Sequence, residues 1–227
     1  MVQKTKKQMK KMIKTIAIHV IIATVAVFLI VIALSFLVKD DDKGKNRATI
    51  KQVEMPYIEE MFITPNDYSR PQLELEQVNA IVVHYTGNPG STAKGNRDYF
   101  ENLRIKKTTY ASSHYVVGLE GEIIQCIPLT EISYASNNRN GDTIAIEVCH
   151  KDKSGKFNED TYQSLVELVA WLCGKYNLDK DGIIRHYDVT GKKCPKYFVD
   201  HEDAWEQFKE DVFIYIEAEQ SEIEPVK

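Results

Sequence analysis

Two histidines and one cysteine stand where the chain could do chemistry. His84 closes an apolar run, Val78 to His84 (VNAIVVH), and His186 opens the polar stretch HYDVTGKKCP that ends in Cys194-Pro195. Two imidazoles and one thiolate form a donor set soft enough for Zn²⁺, with a fourth position left for water. Spacing by itself is weak support, because His-x7-Cys matches neither a helical pair nor a zinc knuckle. Each residue also has a plainer reading. His84 serves equally as the polar end of a strand, and Cys194 as a small buried side chain.

The elements that must position these groups follow from apolar periodicity. VNAIVVH turns polar only at its end, the pattern of a buried strand, and places His84 at the rim of a sheet. The loop Tyr85-Thr86-Gly87-Asn88-Pro89-Gly90 leads to Ser91 or Thr92 as the cap of a helix reaching about Arg104. His114 to Leu119 and Glu122 to Ile127 flank Glu120-Gly121 and predict a hairpin. Thr143 to Cys149 (TIAIEVC) is a further strand. Its Ile144, Ile146 and Val148 share one face, which turns Glu147 to the other side with Cys149. Over 159–176, Tyr162, Leu165, Val166, Val169, Leu172, Cys173 and Tyr176 recur at threes and fours, predicting a helix. Ile183-Ile184 is a short strand before Arg185-His186. A last helix over about 202–216 turns Trp205, Phe208, Val212 and Ile216 inward. Strands and helices alternate through one domain, so the expected class is α/β, a central mixed sheet flanked by helices.

The ends of the chain have different work. Net charge is −4, and residues 1–14 hold six lysines and no acid, which leaves −10 for the remainder. An acidic domain is a poor match for nucleic acid, whose affinity comes mostly from Lys and Arg. From Ile16 to Val38 runs a block of 23 residues whose only ionisable side chain is His19. As a helix it measures about 35 Å, enough to cross a hydrocarbon core of about 30 Å. It outlasts the apolar core of a cleaved leader, because Phe36, Leu37 and Val38 continue past Ala33 and Ser35. The lysine excess ahead of the span sets the N-terminus in the cytoplasm and the domain outside. The expected organisation is a basic cytoplasmic tail (1–15), a transmembrane signal anchor (16–38), a charged tether (39–56), one domain (57–216) and an acidic tail (217–227).

The blocks IVVHYTGNPG, ASSHYVVGLEGEI, DTIAIEVC and RHYDVTGKKCP, in that order, resemble the zinc-dependent N-acetylmuramoyl-L-alanine amidases of the phage T7 lysozyme and peptidoglycan-recognition type, above all those of Gram-positive bacteria and their phages. The resemblance covers roughly Tyr57 to Val212. It implies a mixed sheet with flanking helices, peptidoglycan as substrate, and His84, His186 and Cys194 as zinc ligands. It also implies catalytic roles for Glu147 and Lys192. Such a reaction attacks the amide between N-acetylmuramic acid and L-alanine with water, through a tetrahedral oxyanion. A thiolate ligand lowers the charge of the metal site by one relative to three imidazoles, so extra help is useful. Glu147 would carry the proton from water to the leaving amine. Lys192 would place positive charge at the oxyanion, a contribution of about 3–4 kcal/mol where one donor has been removed from such a site.

Two departures from the family pattern stand out. Some relatives carry a tyrosine where this chain has Ser113, which throws the weight onto Glu147. Many carry a histidine in a Trp/Tyr-His-Ala pattern where this chain reads Tyr134-Ala135-Ser136, so that substrate contact is missing. Asp188 is a candidate to orient a ligand. His114 reads as structural, His150 and His201 as exposed. Cys126, Cys149 and Cys173 read most simply as buried small residues, a Cys126–Cys149 disulfide being the alternative in an exported domain. The rival functions are a non-catalytic muropeptide-binding module, which would be marked by loss of the third ligand, a tethered scaffold, and a cysteine peptidase. Cys194 is present, which disfavours the binding module, and it precedes Pro195 rather than opening a helix, which disfavours the peptidase.

Overall fold

The computed structural model describes residues 49–50 and 52–223; the tail 1–15 and the span expected over 16–38 lie outside them. Among the described residues no helix is long and apolar enough to cross a membrane. Residues from Ile50 onward form one unit built on a six-stranded sheet. Its strands are β1 (Glu59–Glu60), β2 (Ala80–Val83), β3 (Tyr115–Val117), β4 (Ile123–Gln125), β5 (Thr143–Val148) and β6 (Ile183–Arg185), in the order β1-β4-β3-β5-β2-β6. Only the β3–β4 hairpin is antiparallel; every other neighbouring pair is parallel. The mixed sheet inferred from the sequence is present, with helices on both faces.

Capping sets the helix ends. α1 (Ala93–Lys106) starts at Thr92, whose side chain accepts from the Gly95 N–H, and stops where Lys107 turns left-handed at φ 52°. α2 (Glu159–Tyr176) starts at Asn158, which accepts from the Thr161 N–H, with Glu159 and Asp160 at the positive end of the helix dipole. α3 (His186–Thr190) and α4 (Lys196–Asp200) are short. α5 (Glu202–Ile223) runs on past 216, through the start of the stretch read as an acidic tail.

The alternation in β5 divides the core. Ile144, Ile146 and Val148 pack with Leu165 and Val169 of α2 and Phe208 and Val212 of α5. On the other face Cys149 packs with Val116 and with Ala93 and Phe100 of α1. Each large apolar side chain buried this way contributes about 1.5–3 kcal/mol. Val53, inside the stretch read as a tether, is buried in the α2–α5 core, and the Ile50 N–H donates to Asn177 Oδ1 at 2.8 Å. Two isolated aliphatics in a charged run have no period to announce them. The segment from Tyr57 supplies β1 at the sheet edge. Beyond it, the Met61 and Ile63 N–H groups donate to Gln125 and Cys126 carbonyls, each at 2.9 Å.

Candidate metal centre and active site

Register assembles three of the five predicted side chains. Val83 pairs with Ile146 on one side and with Arg185 on the other. The next residue on each of these adjacent parallel strands is His84, Glu147 or His186. The row beyond this rung therefore presents all three at the same edge of the sheet, outside the strands' carboxyl ends. The ladder holds across this row: the His84 N–H donates to Ile146 O at 2.9 Å and the Thr86 N–H to Val148 O at 3.0 Å.

Cys194 arrives by the loop that follows β6. The Arg185 N–H donates to Asp188 Oδ2 at 2.8 Å, closing the first turn of α3. Gly191 ends it at φ 75°, a conformation in which a Cβ would be strained. The Tyr187 N–H then donates to Cys194 O at 2.9 Å, folding the loop back onto the site.

The ligand atoms of His84, His186 and Cys194 all lie within 4.8 Å of one another. Cys194 Sγ is 3.9 Å from His84 Nδ1, and the two imidazole centroids are 4.6 Å apart. All three are buried, at 2%, 8% and 3% exposure. The outer nitrogens have partners: Ser136 Oγ lies 3.4 Å from His84 Nε2, and Asn137 Oδ1 lies 3.2 Å from His186 Nε2. Those contacts leave Nδ1 of each ring as the nitrogen available to an ion and fix the ring orientations.

The electrostatics suit a cation. Burial holds His84 well below the usual histidine pKa, helped by His186 and Lys192, and burial with Lys192 lowers His186 as well. Neutral imidazoles are the form that ligates. Burial pushes the Cys194 thiol up to about 12, with Glu147 adding to the rise and the Tyr85 N–H and Lys192 opposing it. A sulfur so placed becomes a thiolate only with a positive partner, and the donor set fits zinc.

Glu147 is half-buried, and its Oε2 is wholly buried with no hydrogen-bond partner among the described residues. Burial raises its pKa to about 8, against the pull of Lys192. Lys192 is exposed and lines the same pocket, a cavity of about 270 Å³. Its neighbour Lys193 is ion-paired with Asp200. All five predicted residues line this pocket.

The other candidates lie elsewhere or act otherwise. Asp188 binds the Arg185 guanidinium and N–H rather than a ligand, so it shapes the loop from behind. His114 is buried and structural: Nε2 meets Glu131 O at 2.9 Å, and Nδ1 accepts from the Ala145 N–H at 3.0 Å. Ser113 Oγ donates to Tyr115 O at 2.8 Å. His150 is not exposed as expected but 1% so, stacked on Tyr85 with ring centroids 5.0 Å apart; its place just after β5 buries a residue whose polar neighbours suggested a surface. His201 is exposed. Cys126, Cys149 and Cys173 are buried free thiols, so the disulfide alternative falls. Ser136 and Asn137, which contact the two imidazoles, gave no sequence signal because polar loop residues are ordinary.

The N-acetylmuramoyl-L-alanine amidase family model (Amidase_2) matches residues 74–197, and the chain belongs to that family. N-acetylmuramoyl-L-alanine amidase BlyA of Bacillus subtilis (strain 168) is 36% identical over 169 residues, covering 65% of this chain and 44% of the relative. N-acetylmuramoyl-L-alanine amidase CwlL of Bacillus licheniformis is 37% identical over 164 residues, covering 66% and 45%. The chain thus spans less than half the length of these relatives. Among solved structures, a mutant endolysin from Bacillus subtilis superposes with a TM-score of 0.59 at 27% identity, covering 70% of this chain and 99% of that one.

Proposed function

We propose that this chain hydrolyses the amide between N-acetylmuramic acid and L-alanine in peptidoglycan, with zinc, from a domain held outside the cell by the membrane span 16–38. The observation that carries this reading is the convergence of His84, His186 and Cys194 beside a carboxylate with an unpartnered buried oxygen. Those three side chains would hold the zinc. Bound there, it supplies a Lewis acid that polarises the scissile carbonyl and acidifies water.

The remaining work falls to residues of the chain. Glu147, with its pKa raised to about 8, accepts the proton of the attacking water and returns it to the leaving nitrogen. Lys192, exposed and lining the pocket, sets positive charge against the developing oxyanion. Ser136 and Asn137 keep both imidazoles in the ligating tautomer. The amidase names of the Bacillus relatives support the choice of bond. The anchor rests on residues 16–38 and the lysines before them; tethering keeps the enzyme at high effective concentration near the wall.

Mass spectrometry of peptidoglycan digested by the purified chain tests the bond. The expected products are stem peptides with a free L-alanine amine and glycan with intact muramic acid, abolished by a chelator and restored by zinc. Products cut within the stem would refute the assigned bond, and binding without cleavage would point to a recognition module. Fractionation with protease accessibility on intact cells tests the anchor; recovery in the soluble fraction would dismiss it.

A further inference from the structure

Three tyrosines run outward from the catalytic pocket. Tyr134 lines the pocket. Tyr110 meets it edge-on, with centroids 5.6 Å apart at 83°, and stacks on Tyr68 at 5.0 Å and 16°. Tyr110 is 61% exposed. Single exposed aromatics are ordinary, but a contiguous set leading into a reaction pocket is not.

The set is also held rigid. The Ser112 N–H donates to Tyr134 O at 3.1 Å, and the Tyr134 N–H returns to Ser112 Oγ at 2.9 Å. The Ala111 N–H donates to Tyr68 O at 3.1 Å, and the Tyr68 N–H to Asn66 Oδ1 at 2.8 Å. Three separate segments are therefore fastened together behind the rings, although none of them is a helix or strand. Ala111 and Ser112 themselves line the pocket, so pocket and ladder form one continuous surface.

On the amidase reading above, the geometry points to Tyr68, Tyr110 and Tyr134 as a ledge for the glycan strand, stacking a sugar beyond the muramic acid whose amide is cut. A β-linked pyranose has an apolar face of axial C–H groups, with its hydroxyls at the edge. Tyrosine offers the matching surface: a flat apolar face with a polar tip, and little conformational freedom to lose. Charge separates sugar from stem peptide. The stem carries carboxylates, whereas the ledge contains no cation to pair with them. The lysine at the pocket is Lys192, beside the ligands.

The test compares the zinc-loaded full-length chain with Tyr110→Ala and Tyr110→Phe on two substrates, glycan strands bearing stem peptides and a muramyl peptide of one sugar. Tyr110→Ala should raise KM on strands about tenfold with little change in kcat, and raise the strand-to-monomer KM ratio by a similar factor. Tyr110→Phe keeps the ring face and should stay near wild type. Tyr99→Ala, an equally plain exposed tyrosine on α1, should move neither substrate. Binding of peptide-free tetra-N-acetylchitotetraose, followed by NMR, reads the ledge without turnover and should weaken in Tyr110→Ala. An unchanged strand KM, or an equal rise on both substrates, overturns the ledge; stronger dependence on stem length than on sugar number assigns it to peptide instead. Failure of the wild-type chain to cut either substrate would condemn the amidase reading, while chitotetraose binding would still decide the ledge.

Discussion

The sheet presents two faces made from the same strands, and they are built to opposite ends. Toward α2 and α5 the strands offer Ile81, Val83, Ile144, Ile146 and Val148, which meet Leu165, Val169, Phe208 and Val212 in a dry core. Toward α1 the same strands offer His84, Glu147 and Cys149, and α1 covers only part of that face through Ala93 and Phe100. One face holds the protein together, and the other keeps a polar row beside an open pocket. A buried carboxylate without a partner costs stability, and the apolar face is what makes that cost tolerable.

Substitutions on either face should separate the two roles. Cys194→Ala removes a proposed ligand and should bring activity to background and zinc content to near zero by elemental analysis, while far-UV circular dichroism stays native. Phe208→Ala, in the dry core, should cost about 3–5 kcal/mol in denaturant unfolding, with turnover per folded molecule within a few-fold of wild type. Asn137→Ala should weaken zinc binding about 10–100-fold in a competition titration with a chromophoric chelator, because the His186 ring loses its outer partner. Retention of full zinc affinity there would mean that the ring is held by packing alone.

The smallest effect concerns pH. Burial raises the Glu147 pKa from 4.5 to about 8, so folding favours its protonated form. That contribution is fully present below pH 4.5 and is lost as pH rises through about 8. In zinc-free protein, Glu147→Gln should therefore leave thermal stability near wild type at pH 4 and raise it by about 1–2 kcal/mol at pH 9. Equal melting at both pH values would show that water already satisfies the carboxylate.

Much of this was legible in the residues. The period over 159–176 marked α2 to the residue, and the cap at Ser91 or Thr92, which the structure resolves to Thr92, the hairpin and the β5 alternation were all local patterns. His84 was legible as the polar end of an apolar strand and the His/His/Cys set as a zinc donor set, whereas the roles of Glu147 and Lys192 rested on the family resemblance, Lys192 and Cys194 lying on a loop. What escaped lacked a period. Val53 and Ile50 sit in a charged run, β1 has two residues, and Ser136 and Asn137 come from a loop whose folding against the imidazoles depends on tertiary contacts. His150 was misplaced because burial of a loop is fixed by what covers it, here Tyr85.

Arg185 ties the two faces together. Its guanidinium bonds Asp188 at 3.0 Å, Glu202 at 2.6 Å and the Phe198 carbonyl at 2.9 Å, and it lies 5.2 Å from the centre of the Trp205 ring. The loop that carries His186 and Cys194 is thereby bolted to the terminal helix closing the core. By reciprocity, an ion captured at one end must tighten the other. On the proposed reading, metal supply would then govern how long the folded chain survives as well as how fast it works.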